Sequence, residues 1–356
     1  MSARGKEIRK FILQTVRDHP QNLVRFVAGR FKISRQAVGR HVRELVGTGQ
    51  IEAKGEKKDR RYSLAVLSNK VVKLNLVGLQ EDTVWREHIR GFFSDLPENV
   101  IDMWHYACTE MINNAIDHSG GSVGTVAMTR TAIDAEVDIF DDGVGIFRKI
   151  KEACGLEDER HSVLELAKGK LTTDPENHTG EGIFFTSRMM DDFAILSGEV
   201  FFSHKYGKEE DWILQREHPD VGTGVFMLLE NQSERKPDDV FRRYAAEDDD
   251  YGFNKTVVPV RLAREGSEQL VSRSQAKRLL ARVDRFKTVI LDFSDVDTIG
   301  RSFADEIFRV FARANPRILV IPINTNLEII GMITSVRSVS SGEKPGSGND
   351  SQDVHS

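Results

Sequence analysis

Three short segments, each bearing glycine or carboxylate and lying in a set order, constrain this chain more than its bulk composition does. The first, Glu110-Met-Ile-Asn-Asn-Ala-Ile-Asp-His-Ser119, spaces Glu110, Asn114 and Asp117 three or four residues apart, so they share one face of a helix. A helix face with a carboxylate and a carboxamide suits Mg²⁺ and an oriented water or hydroxyl beside a triphosphate. The second, Asp141-Asp-Gly-Val-Gly-Ile146, ends a strand in carboxylates and adds two glycines that let backbone approach a ligand. The third, His178-Thr-Gly-Glu-Gly-Ile183, precedes a helix whose first N–H groups can cradle phosphate.

The flanking pattern supplies a scaffold for them. Helical stretches at about Glu81–Ser94 and Glu98–His118 precede a run of strand-like segments. Ser122–Thr131 and Ala135–Asp141 read as an antiparallel pair, which Phe193–Ser197, Val200–His204, Trp212–Gln215 and Gly224–Leu229 extend. The expected architecture is multidomain α+β, with this middle part an α/β sandwich carrying its helices on one face.

Together and in this order, ExxxNAxxHS, DDGxGI and GxGI resemble the GHKL ATPases, a superfamily of gyrase-type topoisomerases, a heat-shock chaperone class, histidine kinases and mismatch-repair ATPases. The resemblance implies a domain over residues 71–235, a mixed, mainly antiparallel sheet, and ATP with Mg²⁺ as ligands. It implies that Asn114 ligates Mg²⁺ and that Asp141 accepts the adenine amino hydrogen bond. Gly143 and Gly145 would permit the turn under the base, Gly180 and Gly182 would close on the phosphates, and Thr223 would support the adenine end. Glu110 stands where hydrolytic members activate the nucleophile, and His118 is expected to pack locally rather than carry a phosphoryl group. Residues 146–179 would be the nucleotide lid. Its cations Arg148, Lys149, Lys151, Lys168 and Lys170 are each candidates for a γ-phosphate, with a solvated charge as the plainer reading of each.

Only Val71–Asn99 precedes the motif helix in this region, and His88 lacks the proline-containing context of a histidine-kinase acceptor. The motif helix looks closer to the anti-sigma-factor serine kinases. A carboxylate beside Mg·ATP can orient water or a side-chain hydroxyl, and both remain open.

Charge marks off the N-terminal part. The whole chain carries −5, yet Met1–Ser68 holds sixteen Lys/Arg against six Asp/Glu, or +10. A basic head on an acidic body fits one domain that meets a polyanion. Apolar spacing predicts helices over Ile8–Val16, Gln21–Phe31 and Arg35–Val46, the last capped by Ser34, then strands Gln50–Ala53 and Arg61–Ala65 around a basic hairpin. The stretch from Phe31 to Leu45 resembles the winged helix-turn-helix domains of bacterial transcription regulators. That resemblance implies a DNA-binding domain over residues 1–68, with Arg35, Gln36 and Arg40 near base edges and Lys57, Lys58 and Arg60 on phosphates or in the minor groove. A protein-binding winged helix is the alternative.

Strands at Thr256–Leu262, Thr288–Phe293 and Arg317–Pro322 alternate with helices at Ser272–Arg282, Arg301–Arg313 and Leu327–Thr334. The stretch Val289–Ala304 resembles STAS-like domains, the fold of anti-sigma-factor antagonists, which implies such a domain over residues 250–335. Arg301 stands at the usual phosphoacceptor position there, leaving Ser302 as the one substitute, with helix N-capping as its plainer role. Residues 336–356 are rich in Ser, Gly and Asp and are expected to be disordered.

No apolar run approaches the roughly 20 residues of a membrane span, and Met1–Lys10 is polar, so a cytoplasmic protein without membrane contact is expected. Cys108 and Cys154 fit neither a disulfide framework nor a zinc site and read as buried thiols. The expected whole is a homodimeric, ATP-switched regulator that binds DNA and engages a regulatory protein through its STAS-like domain. A serine/threonine kinase and a nucleotide-binding scaffold without DNA contact are the rivals.

Overall fold

The computed structural model describes residues 3–56, 59–171, 180–207, 212–245, 253–264 and 269–338, with the backbone alone over 212–220. The chain divides into two compact units, Met1–Arg243 and Tyr244–Ser356.

The first unit opens with α1 (Ala3–Thr15), α2 (Leu23–Phe31) and α3 (Arg35–Gly47). Ile8, Ile12, Val16, Leu23, Val27, Val38 and Val42 form their common core, at the three- and four-residue spacing that puts apolar groups on one helix face. The Ser34 hydroxyl caps α3 by accepting from the Ala37 amide at 3.2 Å. Strands β1 (Ile51–Lys54) and β2 (Arg61–Leu64) then pair antiparallel.

Next comes β3 (Ser68–Asn75), a strand that periodicity did not reveal. It is the edge of a five-stranded sheet ordered β3-β4-β5-β7-β6. Most of its residues are exposed, so the sequence there lacks the buried alternation that betrays an inner strand. After α4 (Glu81–Val84), the helical path continues as a π turn over Trp85–Ile89 and a 3₁₀ turn over Arg90–Phe93. Helix α5 (Glu98–Asn113) buries Val100, Met103, Trp104, Ala107 and Met111 and runs on as a second π turn, Asn114–His118.

Strands β4 (Val123–Arg130) and β5 (Asp134–Asp141) form the expected pair. Helices α6 (Ile146–Cys154), α7 (Glu159–Lys168) and α8 (Gly182–Met189) follow, then β6 (Asp192–Lys205), β7 (Trp212–Glu230) and α9 (Pro237–Tyr244). Every pairing in this sheet is antiparallel, where the resemblance implied a mixed one. The expected pair Phe193–Ser197 and Val200–His204 is one strand, β6. Its register slips around Gly198, whose φ is +56°, so the glycine makes a bulge rather than a turn.

The β4–β5 turn is seated in the N-terminal helices. Ala132 and Ile133 pack against their core, and the Arg17 guanidinium grips the buried Asp134 carboxylate with two nitrogens, one at 3.0 Å. Thr131 Oγ1 donates to Asp134 at 2.6 Å, and the Asn231 amide donates to the Ile133 carbonyl at 2.8 Å. The Leu67 amide donates to the Arg130 carbonyl at 2.8 Å, so the connection from β2 is itself bonded to the sheet.

In the second unit β8 (Lys255–Pro259), β9 (Thr288–Asp292) and β10 (Leu319–Ile323) are parallel, in the order β10-β9-β8. Parallel neighbours need crossover connections. Helix α10 (Arg273–Leu280) supplies the first; α11 (Arg301–Asp305), a π turn Glu306–Phe311 and α12 (Ala312–Ala314) supply the second, before α13 (Leu327–Ser338). The strand expected over Thr256–Leu262 stops at Pro259 and gives way to a 3₁₀ turn, Val260–Ala263, because proline lacks the ladder N–H. Helix α13 takes in residues 336–338, which were expected to begin the tail. The remaining tail residues lie outside the described residues.

Cys108 is buried and its thiol is pushed up by burial, whereas Cys154 is only half-buried. Among the described residues no helix is long and apolar enough to cross a membrane.

Asp138 of β5 carries a pH prediction. Its Oδ1 is buried without a partner, and burial, then the Glu136 charge, push the carboxyl up to about 6. A carboxyl raised above its unfolded value of about 3.9 contributes stability below that value, and the contribution is lost as pH rises through 6. Asp138→Asn should therefore stabilise the fold by about 1 kcal/mol above pH 6.5, a figure discounted for half-exposure, and by nothing below pH 4. Urea midpoints across a pH series check it.

Candidate functional site

Four segments distant in sequence meet at one cavity of about 290 Å³. Helix α5 and its π turn bring Glu110 and Asn114, the end of β5 brings Asp141, the start of α8 brings Gly180 and Gly182, and β7 brings Thr223. Ile139, Ile195 and Val225, from the neighbouring strands β5, β6 and β7, and Ile146 and Ile150 of α6 give it an apolar wall.

Asp141 and Thr223 are direct cross-strand partners. The Gly143 amide donates to Asp141 Oδ1 at 2.9 Å and the Ile146 amide to Thr223 Oγ1 at 3.1 Å. Burial raises the Asp141 carboxyl above the ordinary range, opposed by hydrogen bonds from the Gly143 and Thr223 backbone. Its neighbour differs. Asp142 accepts from the Ser122 and Val123 amides at 2.7 and 2.9 Å, which hold its carboxyl low. Asp142 thus fastens the start of β4 and leaves Asp141 to face the cavity.

Gly143 and Gly145 do not line the cavity; each sits where a side chain would not fit. A Cβ on Gly143 would collide with the Ser119 carbonyl, and Gly145 has φ +89°, with Ser197 Oγ 2.6 Å from where a Cβ would sit. A Cβ on Gly182 would strike the Glu110 carboxylate, so the glycine lets that carboxylate lie against the first turn of α8. The Asn114 Nδ2 is buried without a hydrogen-bond partner, a costly state that a ligand acceptor would relieve.

Glu181, between the two glycines, escaped the sequence reading. It lines the cavity, and burial pushes its carboxyl up against the pull of Lys170. The Tyr106 phenol, raised mainly by burial, feels both Glu110 and Glu181. The residue type alone gave no signal, since a Glu between glycines is equally at home in an exposed loop.

The cations of residues 146–171, the described part of the segment expected to be a lid, separate clearly. Lys168 is buried against Glu165 at 2.8 Å, Arg148 forms an exposed pair with Glu152 at 3.1 Å, and Lys151 lines a different cleft. Lys170 lies close enough to Glu181 to lower its pKa. Lys149 lines the cavity and donates to the His118 carbonyl at 2.6 Å. Lid residues 172–179 lie outside the described residues.

On the N-terminal helices, Arg35, Gln36 and Arg40 are exposed along α3 while Val38 and Val42 are buried beneath them. Arg60 is exposed beside β2; Lys57 and Lys58 lie outside the described residues. In the second unit Ser302 is exposed in the first turn of α11. The N-cap of that helix is Gly300, with no side-chain cap, so the capping role expected of Ser302 does not hold.

The family described as a STAS-like domain of unknown function (DUF4325) matches residues 275–329. The match spans β9 and β10 and lies wholly within the second unit. The sequence matches none of the curated proteins compared with it.

Two glycines of the first unit yield a contrast. Gly222 has φ +83°, and a Cβ there would drive into the Asp141 carbonyl, whereas Gly29 in α2 has open space around it. Gly222→Ala should cost about 2–4 kcal/mol, and Gly29→Ala should gain about 0.5–1 kcal/mol. Chemical unfolding of both variants tests the pair.

Proposed function

We propose that the chain is an ATP-binding transcriptional regulator, in which a GHKL-type domain binds Mg·ATP and switches a winged-helix DNA-binding head and a STAS-like domain. The observation that carries this reading is the convergence of Glu110, Asn114, Asp141, Gly180, Gly182 and Thr223 on one cavity. The donor set suits the ligand. Asp141 and Thr223, backed by Ile139, Ile195 and Val225, offer an acceptor and a hydroxyl beside an apolar slot for a heteroaromatic base. The unpartnered Asn114 Nδ2 suits a phosphate oxygen as acceptor, and the carbonyl oxygen of the same carboxamide is of the type that ligates Mg²⁺. The bound nucleotide would supply a phosphoanhydride, and Glu110 would orient the water or hydroxyl beside it.

The DNA half of the reading rests on the exposed Arg35, Gln36 and Arg40 and on the +10 charge of Met1–Ser68. Protein-kinase action has one observation in its favour: Ser302, in the unit matched by the STAS-like family, exposes its hydroxyl in the first turn of a helix. In the regulator reading the chain acts as a homodimer, and the STAS-like domain meets a regulatory protein.

Incubation with γ-labelled ATP, scored for free phosphate against labelled protein, separates hydrolysis from phosphotransfer. Asp141→Asn should abolish Mg·ATP binding, because an amide presents the wrong pairing to the adenine amino group. Glu110→Ala should keep nucleotide affinity and lose turnover by roughly 10²–10⁴-fold. Unchanged affinity in Asp141→Asn would remove the nucleotide reading.

Arg40→Ala should weaken binding to a preferred duplex by about 1–3 kcal/mol more than to a scrambled one, as expected for a base-edge contact. Arg60→Ala should weaken both alike and lower the salt slope by about one. Mobility shifts over a salt series provide the measurement. A wild-type chain without salt-dependent DNA binding, with or without ATP, favours the scaffold reading instead.

A further inference from the structure

The cavity is short of positive charge. Its lining includes the carboxylates of Glu110, Asp141 and Glu181, and among the described lining residues Lys149 is the one ammonium. A polyphosphate brought beside three carboxylates needs cations, and Mg²⁺ on Asn114 meets part of that need. Of the other lid cations, Lys170 stands near enough to Glu181 to offset part of its charge without lining the cavity, while Lys168 is on Glu165, Arg148 on Glu152 and Lys151 in a separate cleft.

Helix α6 aims Lys149 inward by simple periodicity. Ile146, Lys149 and Ile150 fall at i, i+3 and i+4 and all line the cavity. The Ile146 amide is pinned to Thr223 Oγ1, so the helix starts at the polar Asp141–Thr223 end and carries Lys149 one turn onward. There its ammonium donates to the His118 carbonyl at 2.6 Å. That carbonyl belongs to the last turn of the motif helix, where backbone acceptors lack intrahelical partners and a cation is favoured.

Resting on the nucleotide reading above, we infer that Lys149 is the phosphate ligand contributed by the lid helix, its ammonium exchanging between the His118 carbonyl and the phosphate oxygens of a bound nucleoside triphosphate. A neutral carbonyl is the weaker acceptor and a phosphate oxyanion the stronger. The exchange releases the last turn of the motif helix when phosphate is present. The presence of phosphate is thereby reported where α6 and the motif helix meet, without a base-specific contact.

The test measures binding of Mg·ATP and of adenosine to the full chain by calorimetry. Lys149→Met should weaken Mg·ATP by about tenfold or more and leave adenosine unchanged, while Lys149→Arg should stay within about threefold of wild type for both. Retained adenosine binding shows that the variant is folded. Mass spectrometry after reductive methylation of the wild-type chain gives a second readout, in which Lys149 should react more slowly with Mg·ATP bound than with adenosine bound. Equal Mg·ATP affinity in wild type and Lys149→Met, or equal methylation with both ligands, overturns the inference and leaves the nucleotide reading standing. A wild-type chain that binds neither ligand removes both.

Discussion

The Arg17–Asp134 pair, with the β4–β5 turn that carries it, governs how the first unit is organised. A carboxylate buried as deeply as Asp134 is tolerated only when its charge and lone pairs are satisfied, and Arg17 and Thr131 do that across the boundary between helices and sheet. Ile133 and Ala132 then fill the edge of the helical core. Because β5 starts at Asp134 and ends at Asp141, and β7 runs antiparallel from Thr223 to Glu230, the same two strands hold the cavity at one end and the helices at the other. Seven strand steps at about 3.3 Å separate them by roughly 23 Å. The N-terminal helices are therefore mounted on the sheet rather than strung from it.

Much of this was legible before the structure. The helices α1, α2, α3 and α5 follow apolar spacing, and β4, β5 and the parallel strands β9 and β10 follow their apolar runs. What escaped has identifiable causes. Strand β3 is an exposed edge whose lysines mask its alternation. Gly198 looks like a strand break because sequence does not distinguish a bulge from a turn. Pro259 shortens β8 for want of an N–H. Of the site, six of the residues that the resemblance pointed to line one cavity, whereas Gly143 and Gly145 do not. The five lid cations were equivalent in sequence because what separates them is tertiary: a buried carboxylate beside Lys168, solvent around Arg148, the cavity beside Lys149. Glu181 was missed for the same reason.

Adjacent identical residues make the point sharply. Asp141 and Asp142 have the same chemistry and successive positions, yet strand alternation sends them to different surroundings. One meets a cavity wall and is raised by burial; the other meets two backbone amides and is held low. The carboxylate held low at the surface staples β4, and the one raised by burial is left to face the cavity.

The π turn at Asn114–His118 completes the geometry. A π turn widens the helix by one residue per turn and occurs often at functional sites. Here it follows directly on α5, which carries Glu110 in its last turn. The widening begins at the residue whose carboxamide nitrogen lacks a partner and ends at the residue whose carbonyl is taken by Lys149. The Asn114 amide still bonds to the Glu110 carbonyl, so Asn114 sits one helical turn beyond Glu110 on the same face, and both line the cavity. The π turn follows from Asn114 to His118, whose carbonyl accepts from Lys149 of α6. The helix that carries the candidate catalytic carboxylate thereby ends in an acceptor that the lid helix can reach.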